Sequence, residues 1–212
     1  MKSWPIVVIA VSAMVAGAAF YLFRKQPPAP VAAPGPEVAA AQLVATLPGF
    51  LLADRDGQMK SLRDWPDRAL IINFWATWCA PCRREIPLLQ QLQHDHGPEG
   101  FQVIGIAVDF RDKVLAYADE MKIAYPLLIG EQEALDAAAA FGVEAVGFPF
   151  TVFSDRQGRV VTAHMGELTA AQASLILDAV RQVDSGSTSP EAARAGLEVA
   201  LAGLPSPPTD GD

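Results

Sequence analysis

The chain carries two cysteines in 212 residues, and they stand three apart in Trp78-Cys79-Ala80-Pro81-Cys82. Thiols at this spacing can run thiol–disulfide exchange: one thiolate attacks a disulfide and the second resolves the mixed disulfide. The apolar run before them, residues 70–75, reads as a buried strand, and residues 83–89 read as an amphipathic helix. The pair therefore sits where a helix begins. Unpaired N–H groups there stabilise a thiolate on the first cysteine, and one helical turn brings the second sulfur alongside.

Other uses of the pair fit less well. A purely structural disulfide across two residues closes a very short loop and adds little stability. Structural zinc calls for four ligands, and there is no second Cys pair. Haem attachment needs His after the second Cys, where Arg83 stands. A catalytic dithiol is the favoured reading. His94-Asp95-His96 has ligand-type residues, but positions two apart on a helix point to different faces, so it reads as a polar helix end.

Apolar residues make up 51% of the chain and charged residues 19%, enough for a packed core. The net charge of −8, spread along the chain, argues against a nucleic-acid surface. Residues 4–23 lack any charge and are almost wholly apolar, long enough to cross a ~30 Å hydrocarbon core. Trp4 and Tyr21 lie near the ends of this run, and Arg24 and Lys25 stop it. Residues 1–25 are thus predicted to be an uncleaved transmembrane anchor. A cleaved signal peptide at Ala16-Gly17-Ala18 is the alternative. Residues 26–43, rich in Pro and Ala, form an extended linker. The basic residues flanking the apolar run are nearly balanced, so charge does not set its orientation. An anchor of this kind usually exports the chain behind it, which places the domain outside the cytoplasm.

The folded part covers residues 44–183. Residues 47–52 and 58–62 are predicted to be strands around the Asp54-Arg55-Asp56-Gly57 turn. Further strands are expected at 69–74, 103–108, 125–129, 150–153 and 160–163, the last two around Asp155-Arg156-Gln157-Gly158. Helices are expected at 82–94, with Pro87 inside it, and at 113–121, 133–141 and 169–183. Alternation early and a hairpin late imply an α/β fold with a mixed sheet flanked by helices. Residues 184–212 read as a flexible C-terminal tail, in which Ser189-Pro190-Glu191 can cap a short helix to Leu201.

Two stretches, INFWATWCAPCRREIP and GFPFTVFSDRQGRV, carry a resemblance. They are similar to the membrane-anchored, TlpA/ResA-like thiol–disulfide oxidoreductases of the thioredoxin superfamily, over about residues 44–183. The resemblance implies a thioredoxin-like fold with an N-terminal β-hairpin and a central helix–strand insertion at residues 109–130. It implies Cys79 as nucleophile and Cys82 as the resolving thiol; the helix N-terminus adds the expectation that Cys79 is exposed with a lowered pKa and Cys82 shielded. The resemblance also implies a cis proline at Pro149 beside the dithiol, with Trp78 and Phe148 facing substrate. Plain thioredoxins carry a buried Asp where Asn73 stands. Relatives with Asn there commonly have a Glu that maps to Glu85, three residues after Cys82, which can take the Cys82 proton if burial raises its pKa. The plainer alternative is an exposed Glu paired with an arginine. Phe148 is bulky for its position, and Phe141-Gly142-Val143 lies two residues further from Pro149 than in thioredoxins, so the substrate face departs most from the pattern. A peroxiredoxin would need Thr or Ser where Ala76 stands.

The function so implied is reduction of disulfides in exported proteins, such as apocytochrome c or copper-site assembly proteins. The enzyme would sit in the inner membrane, face the periplasm or cell exterior, and be recharged by a membrane dithiol donor. No cofactor is called for. A disulfide-forming oxidase and a Cu(I)-binding metallochaperone are the alternatives, the latter because soft thiolates favour Cu(I).

Overall fold

The computed structural model describes residues 43–143 and 147–204. The predicted anchor at 1–25 and all but the last residue of the predicted linker lie outside the described residues. Strands β1 (Leu52–Asp54) and β2 (Met59–Lys60) form the first hairpin. Its turn closes through Gly57 N–H donating to the Asp54 carbonyl at 3.1 Å. Gly57 has φ +80°, a region where a side chain is strained. The predicted strand at 47–52 is displaced: pairing starts only at Leu52. Pro48 has no N–H to give a ladder. Residues just before it instead run beside the late hairpin, where Leu47 N–H meets the Gly158 carbonyl at 2.9 Å and Val160 N–H meets the Ala45 carbonyl at 2.9 Å.

The centre of the sheet is β3 (Ala69–Trp75) and β4 (Phe101–Val108). Both are apolar almost throughout because both of their faces are covered. Helix α1 (Ala80–His96) connects them, then α2 (Arg111–Glu120), β5 (Leu127–Gly130), α3 (Gln132–Ala139), β6 (Phe150–Ser154), β7 (Val160–Met165), α4 (Ala170–Asp184) and α5 (Pro190–Ala202) follow. The seven strands lie in the order β2-β1-β5-β4-β3-β6-β7. β3, β4 and β5 are parallel neighbours, and the outer pairings are antiparallel. This is the mixed sheet flanked by helices that the sequence predicts, with α2 and β5 as the central helix–strand insertion.

One core lies on each face of the sheet. Ile71, Trp75, Ile86, Leu89, Val103 and Ile176 pack on the side of α1, and Ile72, Phe74, Ile104, Phe141 and Phe150 on the other. Gly105 in β4 permits a close approach, since a Cβ there would come within 2.6 Å of Leu127 and 3.1 Å of both Trp75 Nε1 and Tyr125. α1 continues through Pro87, which is exposed, and its buried face is Cys82, Glu85, Ile86, Leu89 and Leu92.

The segment after Val183 is more ordered than a flexible tail. α4 runs to Asp184, and α5 is capped by Ser189, whose hydroxyl accepts from Ala192 N–H at 3.2 Å. α5 buries Ala193 and Leu197 against the α1-side core. Arg194 donates to the Val160 and Val161 carbonyls at 3.1 Å each, so α5 covers the free edge of β7. Residues 205–212 lie outside the described residues.

Candidate active site

β3 ends at Trp75, and a short loop leads from it to α1. Two residues past the last β3–β4 pair, Trp75 with Ala107, stand Thr77 and Asp109. The Asp109 carboxylate accepts from Thr77 N–H at 3.2 Å and from the Thr77 hydroxyl, and its other oxygen accepts from Phe110 N–H at 2.8 Å. Asp109 thereby ties the cysteine loop to the end of β4. The loop closes with Cys79 N–H donating to the Ala76 carbonyl at 3.2 Å.

Cys79 is the N-cap of α1, with φ −85° and ψ 105°. Its Sγ accepts from Cys82 N–H at 3.3 Å. Pro81 falls in the first turn, where its missing N–H is no loss. Cys79 and Cys82 are joined in a disulfide, with Cα atoms 5.3 Å apart. Cys79 retains 5% exposure and Cys82 none. The expectation of an exposed Cys79 therefore needs correcting: the N-cap geometry folds its sulfur back over the first turn. The asymmetry holds, because only the first cysteine keeps any access.

The Phe148–Pro149 peptide bond is cis. β6 begins at Phe150, opposite Phe74, so Phe148 and Pro149 lie at the same end of the sheet as the cysteine loop. Trp78 is 68% exposed, and its ring meets that of Phe148 edge-on at 6.1 Å between centroids. These two rings form an apolar rim beside the dithiol.

Glu85 is not the exposed residue of the plainer alternative. It is 1% exposed, one turn beyond Cys82 on the buried face of α1. One carboxylate oxygen accepts from Asn73 Nδ2 at 2.7 Å and the other from Leu168 N–H at 2.9 Å. Asn73 Nδ2 also donates to the Thr151 hydroxyl at 3.0 Å, across the Asn73–Thr151 register of β3 and β6. Burial pushes the Glu85 pKa up from 4.5 to about 7; the two hydrogen bonds pull it back, and nearby Glu167 adds to the rise. A carboxyl poised there is about half ionised at neutral pH and suits proton transfer in either direction. Tyr125, buried beside the same core, has its phenol pKa raised by burial first and then by the Glu85 charge.

Sequence reasoning named Cys79, Cys82, Glu85, Pro149, Trp78 and Phe148 as candidates, and the structure brings them to one end of the sheet; it did not name Thr151, Leu168 and Asp109, which the structure places with them. The first depends on strand register and the second on a backbone N–H after β7. A signal for Asp109 existed: a lone acidic residue closing the apolar run of β4. His94 and His96 make local polar contacts, with Asp95 at 2.8 Å and Glu99 at 3.2 Å.

A Cys-x-x-Cys where a strand gives way to a helix, with a cis proline just before the neighbouring strand and a buried carboxyl one turn beyond the second cysteine, is the arrangement of a thioredoxin-fold thiol–disulfide oxidoreductase. The chain belongs to the AhpC/TSA family, which matches residues 44–183. Within it, the chain is 27% identical over 146 residues to the thiol-disulfide oxidoreductase ResA of Geobacillus thermodenitrificans, covering 68% of this chain and 82% of that one. It is 30% identical over 137 residues to the thioredoxin-like protein YneN of Bacillus subtilis, covering 62% and 76%. A thiol:disulfide interchange protein of the thioredoxin family from Chlorobium tepidum superposes with a TM-score of 0.53 at 32% identity, covering 60% of this chain and 89% of that one. The chain is thus a thiol–disulfide oxidoreductase of the ResA type. Among the described residues no helix is long and apolar enough to cross a membrane.

Proposed function

We propose that this enzyme works as a reductase of disulfides in exported proteins, held outside the cytoplasm by the N-terminal apolar segment. Reduced Cys79 attacks a substrate disulfide as the thiolate, forming a mixed disulfide and releasing one substrate sulfur. Cys82 then gives its proton to Glu85, and its thiolate attacks the Cys79 sulfur. The second substrate sulfur leaves, and the Cys79–Cys82 disulfide forms. A membrane dithiol donor returns two electrons and two protons. Trp78 and Phe148 offer the incoming chain an apolar face, and backbone beside Pro149 pairs with an extended segment. Disulfide-bearing apocytochrome c and copper-site assembly proteins are substrates of the right chemistry.

The observation that carries the exchange mechanism in this reading is the buried Glu85, 1% exposed, one helical turn from a Cys82 with no access to solvent; the reductase direction rests on the likeness to ResA. A thiol so enclosed needs an internal proton acceptor to resolve a mixed disulfide. Replacing Cys82 by Ser is expected to accumulate mixed disulfides and replacing Cys79 to abolish them; equal trapping by both variants would defeat the assignment. The direction is tested by equilibrium titration of the pair. A potential near ~−270 mV, as in thioredoxin, supports a reductase, and one near ~−120 mV makes the pair an oxidant. The second outcome has its own support in the structure, because the Cys82 N–H aimed at Cys79 stabilises the thiolate and so the reduced form.

A further inference from the structure

Three consecutive residues between β7 and α4 touch three separate parts of the dithiol site. Gly166 N–H donates to the Pro149 carbonyl at 2.9 Å. Leu168 N–H donates to Glu85 at 2.9 Å. Between them, the Glu167 carboxylate receives Arg84 Nε at 2.9 Å and Nη2 at 2.6 Å. Arg84 is the residue before Glu85 on α1, so the ion pair brackets Glu85 along the chain: the cation is its own neighbour, and the anion is the neighbour of its N–H donor. The Glu167 side chain is 16% exposed and that of Arg84 36%, so solvent screens the pair only in part.

We propose that the Arg84–Glu167 ion pair tunes Glu85 electrostatically, adjusting the pH at which Glu85 takes the Cys82 proton. This rests on the role given to Glu85 above. Arg84 and Glu167 are positioning residues in this scheme, since neither touches the sulfurs. The negative charge of Glu167 discourages ionisation of Glu85, and the positive charge of Arg84 offsets it.

The other groups around Glu85 contribute little variable charge near neutral pH. Tyr125, on the approach to β5, stays a neutral phenol because burial raises its pKa. On β7, burial lowers the His164 pKa and so disfavours its charged form, against the Glu167 carbonyl oxygen 3.4 Å from its Nε2, which favours it. Asn73 on β3 and Thr151 on β6 carry no charge. Arg83 on α1 is exposed and acts on Tyr117 of α2. Cys79 and Cys82 are the redox groups themselves. What remains to be tuned is the pair.

Two roles for the pair predict different things. A mechanical latch would suffer alike from loss of either partner. A governor responds with opposite signs. Neutralising Glu167 removes a negative charge beside Glu85 and moves its ionisation to lower pH. Neutralising Arg84 leaves that negative charge unopposed and moves it to higher pH. Each shift is expected to be about half a pH unit, below the ~1–3 units of a direct contact, because solvent reaches both side chains.

The test uses the full-length chain and the rate at which its reduced form reduces insulin disulfides between pH 5 and 9. Glu85→Gln locates the ionisation that belongs to Glu85, by erasing it from the profile. Glu167→Gln is then expected to move that ionisation down, Arg84→Gln to move it up, and the double variant to return it close to wild type. Arg84→Lys, which keeps the charge but not the two-pronged contact, is expected to keep the wild-type position. Shifts of the same sign, or none while Glu85→Gln still erases the ionisation, overturn the governor and leave the role of Glu85 intact. A profile unaltered by Glu85→Gln overturns both.

Discussion

Replacing Glu85 by Gln puts the buried carboxyl to a thermodynamic test independent of turnover. The substitution is nearly isosteric. The carbonyl of the introduced amide can still accept from Leu168 N–H, and Asn73 can turn its own amide so that its Oδ1 accepts from the introduced NH₂ group. That Asn73 Oδ1 is buried without a hydrogen-bond partner among the described residues, so the turn pairs it while drawing Nδ2 away from Glu85 and Thr151, a cost that does not vary with pH. The wild-type group titrates at about 7 in the fold against 4.5 when free. A folded pKa above the unfolded one means that the fold holds the proton more tightly. That stabilisation is full below about pH 4.5 and is lost as pH rises through about 7. Between pH 5 and pH 8 the wild type should therefore lose about 2.5 kcal/mol relative to Glu85→Gln. At roughly 2–4 °C per kcal/mol for a domain of this size, the difference in Tm between the two proteins changes by about 5–10 °C over that range. Guanidinium denaturation of the oxidised proteins at a series of pH values measures it. Comparing the two chains cancels every other titrating group. Parallel pH curves for the two proteins would refute the buried, proton-holding carboxyl.

Asn73→Asp places a second carboxyl within 2.7 Å of Glu85 and removes the donor shared with Thr151. Two such groups cannot both ionise cheaply, so the oxidised variant should be weaker than wild type by about 2 kcal/mol at pH 8 and recover towards pH 5, measured by the same denaturation series. Asp109→Asn weakens the carboxylate contacts to Thr77, and amide hydrogen exchange at Thr77, Trp78 and Cys79 should speed by about tenfold, consistent with loss of ~1.5 kcal/mol of charge-assisted hydrogen bonding. Leu197→Ala removes the main anchor of α5; stability should fall by about 2–3 kcal/mol with the disulfide-reduction rate unchanged, read by thermal melting and insulin reduction.

The sequence resolves this protein best where local chemistry and periodicity agree. Residues 69–74 and 103–108 read as buried strands from their apolar runs, and the structure extends them only to 69–75 and 101–108. The sequence starts α1 at residue 82, two residues late, because it does not register Cys79 as the N-cap and Pro81 as a first-turn proline. Misjudged segments are those whose partner is distant in the chain. Residues 47–52 look like a strand by composition, yet Pro48 and the β6–β7 turn draw the stretch before it elsewhere. α5 is legible as a short capped helix, but its place in the domain depends on distant partners: Ala193 and Leu197 enter the α1-side core, and Arg194 finds free carbonyls on β7. The site follows the same rule. Glu85 is legible as a candidate, but its burial depends on the β3–β6 register that brings Thr151 to Asn73, and on the loop after β7 that delivers Leu168.

The two sulfurs occupy environments that divide the work of exchange. Cys79 has the Cys82 N–H and the start of α1 to hold its charge, so it needs no base in order to attack. Cys82 lies inside the first turn with no solvent contact, and its thiolate has no comparable support. Without Glu85, a mixed disulfide would wait on a proton leaving a sealed site. In the scheme proposed above, Glu85 would take that proton one turn along the same helix face and return it when a dithiol donor reduces Cys79–Cys82. The donor's attack on Cys79–Cys82 mirrors the resolution step, so on this proposal one carboxyl serves both half-reactions and Glu85 would control chiefly how fast the pair turns over. The balance between thiolate and disulfide at Cys79 controls which way. Rate and direction are thus assigned to different residues of one helical turn, and a change at Glu85 should move the first far more than the second.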